Sequence, residues 1–176
     1  GRKGPWARLG ARLIMRLAAL DKINELYRDA FSGGDSYAEG ALRTLGVTVE
    51  ADPKELDHIP ASGAAIVVAN HPTGALDGIV LIDRLSRRRP DVKFMGNFLL
   101  DRIEPLKRYF IDVDPFDSRS RSNAGGIRQS LRHLADGGLL VIFPAGEVAT
   151  WQHGFRDVKD RPWPDSIMKF IRKAAV

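Results

Sequence analysis

The chain of 176 residues contains no cysteine. Disulfides, thiolate metal sites and a cysteine nucleophile are excluded. The same absence fits a reducing compartment. No apolar run approaches the roughly 18–20 residues that cross a bilayer as a helix. Signal peptide, internal repeat and low-complexity segment are all missing. There is no Gly-x-Ser-x-Gly elbow, which counts against a serine hydrolase. There is no Walker-type loop, because Pro144-Ala145-Gly146-Glu147 lacks the Gly-Lys-Ser/Thr ending. Histidine occurs four times, as His58, His71, His133 and His153. Their spacing is not that of metal ligands, so no metal is expected. His58 and His153 read as loop residues and His133 as a helix-surface residue.

Positive charge is plentiful. The net charge is +5 and the pI is near 9.7, which suits an anionic partner such as a membrane surface, a phosphate-bearing substrate or nucleic acid. Basic residues are scattered and do not interleave with aromatics, so no nucleic acid is expected. The length allows one domain with a sizeable core. Residues 6–31 read as a helix, with Leu9, Leu13, Leu17, Leu20, Ile23 and Leu26 at helical spacing. Arg8, Arg12, Arg16 and Lys22 make it basic, and Trp6 stands at its start. Such a helix lies in a membrane interface or packs on its own domain. Residues 1–46 are therefore expected to form an N-terminal helical segment, and 47–176 an α/β domain.

Along that second part, Val47–Glu50 reads as a short strand. Ala64–Ala69, Val92–Gly96, Tyr109–Val113 and Leu139–Phe143 read as core strands. Helices are expected over 75–86 and from Ser122 or Asn123 to about Asp136, with a short one over 97–103 capped by Asn97. Gly137-Gly138 is a helix stop. Arg87-Arg88-Arg89 closes the first of these helices as a solvated basic turn. Alternating strands and helices predict a mostly parallel sheet flanked by helices.

Asn70-His71-Pro72-Thr73-Gly74-Ala75-Leu76-Asp77-Gly78 follows a strand and opens a helix. In open α/β sheets ligands bind at such strand ends. Six helical positions rotate by about 600°, leaving side chains about 120° apart. His71 on the turn and Asp77 in the first helical turn can instead fold together. A carboxylate on one ring nitrogen fixes the tautomer and makes the other a general base. The plain alternative is a strand-end histidine and a favourable helix-start acid. Pro144–Glu147 ends a second strand, so Glu147 is expected at the same sheet edge.

Three segments together resemble the glycerolipid acyltransferase superfamily of the 1-acylglycerol-3-phosphate type. They are Ala69–Gly78, Phe110–Phe116 and Phe143–Glu147, in this order and at these separations. The chain is most similar to a hemolysin-like branch that includes lyso-ornithine-lipid O-acyltransferases. The resemblance spans about half the chain, from Ala64 to Ala149. It implies an O-acyltransferase carrying a fatty acyl group from acyl-CoA or acyl carrier protein, as co-substrate, to the free hydroxyl of a lysolipid of the lysophosphatidic acid or lyso-ornithine-lipid type. No bound cofactor is implied. His71 would be the general base and Asp77 its orienting carboxylate. Asn70, Thr73, Gly74, Arg119, Arg121, Phe143, Pro144, Gly146 and Glu147 would bind substrate. The expected location is peripheral, on the cytoplasmic face of a membrane. A lipid esterase or thioesterase, and a basic module binding anionic membrane, are the alternatives.

Three departures from the family pattern stand out. Five residues separate His71 from Asp77, where most of the superfamily has four. Ala145 occupies a position usually held by Glu, with Glu147 two residues later. Val113 stands where an Arg commonly binds the acceptor phosphate, leaving Arg119 and Arg121, or Lys107 and Arg108, as candidates for that role. A lysolipid with another head group is the other resolution. The chain starts without Met and ends in Phe170–Val176, which reads as a helix-to-strand connection. The family's last motif, a strand carrying a Pro, is expected beyond Val176, so a fragment truncated at its C-terminus is expected.

Overall fold

A computed structural model describes residues 36–96, 104–113, 121–152 and 157–174. The expected helix over 6–31, the short helix over 97–103, Asp114–Phe116, Arg119 and His153 lie outside the described residues. The chain falls into two units, Gly1–Thr48 and Val49–Val176. In the first, α1 (Tyr37–Thr44) starts at Ser36, whose hydroxyl accepts the Glu39 N–H. It stops at Gly46, with φ of 66°, where the Val47 N–H reaches back to the Leu42 carbonyl. That is the left-handed ending for which glycine is suited.

The second unit runs α2 (Pro53–Leu56), β1 (Ala65–Val68), α3 (Ala75–Arg88), β2 (Lys93–Gly96), α4 (Glu104–Lys107), β3 (Phe110–Asp112), α5 (Arg121–Ala135), β4 (Leu139–Ile142), β5 (Thr150–Gln152), β6 (Asp157–Lys159) and α6 (Asp165–Ala174). The first four strands form one parallel sheet in the order β1-β4-β2-β3. This is the expected parallel architecture with flanking helices. β4 is central and buried along its whole length, which explains its unbroken apolar sequence. Leu140 and Ile142 pack with Ile111, Leu134 and Phe170 in a core layer beneath α5 and α6. Leu139 and Val141 alternate to the opposite face.

Glycine sets the distance of α5 from the sheet. A Cβ on Gly126 would collide with the Asp112 carbonyl and the Val113 side chain. Ser130, fully buried, returns its hydroxyl to the Gly126 carbonyl at 2.9 Å.

Several local expectations need correction. Val47–Glu50 forms no strand; Val49 instead gives its carbonyl to the Arg84 guanidinium at 2.7 Å. Thr150–Gln152, for which no element was expected, pairs antiparallel with Asp157–Lys159. Ser122 and Asn123 sit inside α5, which starts at Arg121. The 170–174 end of the chain is helix, as part of α6. His133 is half-buried, its Nε2 lying 3.1 Å from the Leu139 carbonyl. Arg89 is not solvated but 2% exposed. Its guanidinium donates to the carbonyls of Pro60, Gly63 and Gly137 and to Asp91, at 2.8–3.0 Å. One side chain thus ties the loop before β1, the loop before β2 and the turn before β4. Asp91 is held below the usual carboxylate range by its hydrogen bonds from Arg89, and the Arg89 guanidinium is raised in return.

Candidate active site

The strand order makes β1 and β4 neighbours, in register from Ala65 with Leu139 to Val68 with Ile142. One further ladder bond, from the Ala69 N–H to the Ile142 carbonyl, carries the pairing past β1. Asn70 to Thr73 and Phe143 to Glu147 therefore leave the sheet side by side. The two turns are joined again by the Ala149 N–H, which donates to the His71 carbonyl at 2.8 Å.

His71 and Asp77 meet. The Nδ1 of His71 lies 3.1 Å from the Asp77 Oδ2, with the two side chains 19% and 16% exposed. The same Oδ2 accepts the Thr73 N–H at 2.8 Å, and Oδ1 accepts the Thr73 hydroxyl. Gly74 makes this fold-back possible. It is the N-cap of α3 with φ of 73°, a conformation that side chains resist, and a Cβ there would press on Val148 at 3.4 Å. Asp77 is then the third residue of α3, and its carboxylate reaches back over the helix start.

Phe143 stacks on the imidazole, with ring centroids 4.1 Å apart and planes inclined by 23°. With Nδ1 facing a carboxylate, a neutral imidazole carries its proton there, and Nε2 is the basic atom. Pro144 is fully buried. Gly146, with φ of 73°, closes a turn by donating its N–H to the Phe143 carbonyl at 3.0 Å. The Glu147 Oε1 is withdrawn from solvent and meets the Arg161 Nε. Asn70 is exposed. Of the basic candidates, Arg119 and the Arg121 side chain lie outside the described residues. Among the described residues, no group of three His, Asp or Glu could hold a metal.

Two participants had no signal in the sequence. Asp160 accepts the His71 backbone N–H, and Arg161 holds Glu147. Both follow β6, in a stretch without motif or periodicity. An apolar groove of about 440 Å³ runs beside β1, between Ile66 and Val68 on one side and Trp163, Met168 and Ile171 on the other; His71 does not line it.

The fold is a parallel α/β sheet with a histidine–carboxylate pair after one strand and a stacked phenylalanine at the end of its neighbour. The chain matches the Acyltransferase family model over residues 7–175, and it belongs to that family. It is 28% identical over 150 residues to the lyso-glycine lipid O-acyltransferase of Phocaeicola vulgatus, covering 84% of this chain and 51% of that protein. It is 24% identical over 162 residues to the lyso-glycine lipid O-acyltransferase of Bacteroides thetaiotaomicron, covering 90% of this chain and 57% of that protein. The chain spans about half the length of the curated relatives it matches. An acyltransferase family, as expected from the three motifs, is what the family model finds.

Proposed function

We propose that this protein transfers a fatty acyl group from a thioester, acyl-CoA or acyl carrier protein, to the free hydroxyl of a lysolipid. The observation that carries the reading is the 3.1 Å contact between His71 Nδ1 and Asp77, at paired strand ends of a chain in an acyltransferase family. Nε2 of His71 takes the proton of the acceptor hydroxyl as its oxygen attacks the thioester carbonyl. Asp77 stabilises the imidazolium that results. The tetrahedral oxyanion collapses, the C–S bond breaks, and the proton passes from His71 to the departing sulfur. No covalent enzyme intermediate is required.

The backbone donors available to the oxyanion are narrower than the motif suggests. The Thr73 N–H belongs to Asp77 and the Gly146 N–H to Phe143. The first-turn amides of α3, at Ala75 and Leu76, have no acceptor within the helix and lie at its positive end. They are the donors we assign. Thr73 serves the Asp77 carboxylate in this reading, and Phe143 packs the base.

A lysolipid without a phosphate monoester fits Val113 at the position where an Arg commonly binds phosphate. Lyso-glycine lipid, named in both relatives, and lyso-ornithine lipid are the acceptors we favour. The charge of +5 supports work at an anionic membrane surface, which we assign to the cytoplasmic face. Among the described residues no helix is long and apolar enough to cross a membrane. Equal co-sedimentation with anionic and neutral liposomes would count against the membrane part.

The test of the reaction is thiol release from acyl-CoA and from acyl carrier protein, each with a panel of lysolipids. One lysolipid should stimulate release, and His71→Ala should lower the stimulated rate by about 10²–10⁴-fold. Thiol release indifferent to every lysolipid would make the protein a thioesterase. Full activity in His71→Ala would put the base elsewhere.

A further inference from the structure

The loop after β6 belongs to no motif, yet it holds both motif turns. Both carboxylate oxygens of Asp160 accept the His71 backbone N–H, at 3.2 and 3.3 Å, across 89 residues of chain. The next residue, Arg161, pairs through Nε with Glu147 on the neighbouring turn. Asp77 and Phe143 orient the His71 ring. They do not determine where its backbone sits. That position depends on the Ala149 N–H at the His71 carbonyl and on Asp160 at the His71 N–H. Of these two, only Asp160 acts through a side chain, and its half-buried carboxylate makes a charge-assisted bond, stronger than a neutral one.

We propose that Asp160 is a positioning residue of the acyl-transfer site, braced by Arg161 on Glu147, and that this two-residue clasp fixes His71 relative to the acyl carbonyl. The proposal rests on His71 being the general base. A base displaced by about 1 Å loses on the order of a hundredfold in rate, with little change in ground-state binding. The side chains of Arg161 and Glu147 are 65% and 37% exposed, so their pair is the weaker half of the clasp.

The test compares kcat and KM for the wild type, Asp160→Ala, Asp160→Asn, Arg161→Gln and His71→Ala. Palmitoyl thioesters of CoA and of acyl carrier protein serve as donors and lyso-glycine lipid as acceptor, with thermal midpoints measured alongside. Asp160→Ala should lower kcat by about 10- to 100-fold at a nearly unchanged KM for the acceptor. Asp160→Asn, whose side-chain oxygen still accepts the His71 N–H, should recover most of that loss. Arg161→Gln should lower kcat by about two- to fivefold, the rate equivalent of a surface ion pair. It carries the test if Asp160→Ala fails to fold. Unchanged kcat in Asp160→Ala or Arg161→Gln, a loss confined to KM, or an Asn variant as impaired as the Ala variant would overturn the clasp. An active His71→Ala would overturn the base assignment and the clasp with it. A dead His71→Ala beside an unimpaired Asp160→Ala would overturn the clasp alone.

Discussion

Replacing Asp77 by Asn separates the charge of the carboxylate from its shape. In the wild type, Oδ2 faces two groups, the His71 Nδ1 at 3.1 Å and the Thr73 N–H at 2.8 Å, while Oδ1 takes the Thr73 hydroxyl. An amide must therefore place its oxygen where Oδ2 was. The flipped amide would set NH₂ against the Thr73 N–H, donor to donor, at the cost of an unmade hydrogen bond. In the favoured orientation the NH₂ donates to the Thr73 hydroxyl, which also accepts. The turn, the tautomer and the helix start all survive, and what disappears is the negative charge. At an effective dielectric of about 20, opposite charges about 4 Å apart interact by roughly 4 kcal/mol. Both side chains keep some exposure, 19% and 16%, and water screens part of this. A loss of about 2.7–4 kcal/mol of transition-state stabilisation remains, which is about 10²–10³ in kcat.

The assay is acyl-thioester turnover with the stimulating lysolipid, run beside a thermal melt. Asp77→Asn should melt close to the wild type and turn over about 10²–10³ more slowly. Asp77→Ala, which strands the Thr73 N–H as well, should melt lower and be at least as slow. Asn within threefold of the wild-type kcat would refute the reasoning, because the carboxylate charge would then have no role in the chemical step.

Arg89→Ala should cost about 3–5 kcal/mol in urea unfolding, since the carbonyls of Pro60, Gly63 and Gly137 lose a buried partner together; a cost below about 1 kcal/mol would refute that role. Because Arg89 holds Asp91 below its ordinary pKa, the pair stabilises the fold fully above the unfolded value of about 3.9 and loses that contribution as pH falls through the lowered folded value. Unfolding midpoints between pH 6 and pH 3 should therefore fall less in Arg89→Ala than in the wild type, and by a small margin, as Asp91 is 41% exposed. Gly126→Ala should destabilise by about 1–3 kcal/mol, because the methyl group meets the β3 backbone and α5 must move off the sheet; a thermal melt unchanged from the wild type would show that the helix gives way freely.

β4 was legible because burial along its whole length leaves Leu139–Ile142 without polar residues, and β1 because its short Ala65–Val68 run is apolar although it lies at the sheet edge. The His71–Asp77 approach was legible because Pro72 and Gly74 break the helix before it starts. Periodicity holds no information on which strands pair, so the placing of β4 beside β1, which joins the two turns, had to come from the fold. Val47–Glu50 has strand-forming residues but no ladder partner, and context overrides propensity there. The hairpin of Thr150–Gln152 and Asp157–Lys159 has three residues per strand, too few for a period. Arg89 looked like an ordinary basic residue at a helix end, because nothing local reveals that three distant carbonyls converge on it. Asp160 was silent for the same reason.

The two readings of the His71–Asp77 pair, a helix-start acid or a catalytic carboxylate, turn out not to exclude one another. In the usual capping box, a side chain at the third helical position reaches back to the N-cap amide. Here the N-cap is Gly74, which has no side chain, and Asp77 reaches one residue further, to Thr73. That extra reach places the carboxylate beside the turn that carries His71, so a single group both starts α3 and faces the imidazole. A carboxylate shared in this way cannot be assigned to structure or to chemistry by its contacts. Its two duties differ in what they require: the helix start needs an acceptor, and the imidazolium needs a charge. Only a substitution that keeps the first and removes the second separates them.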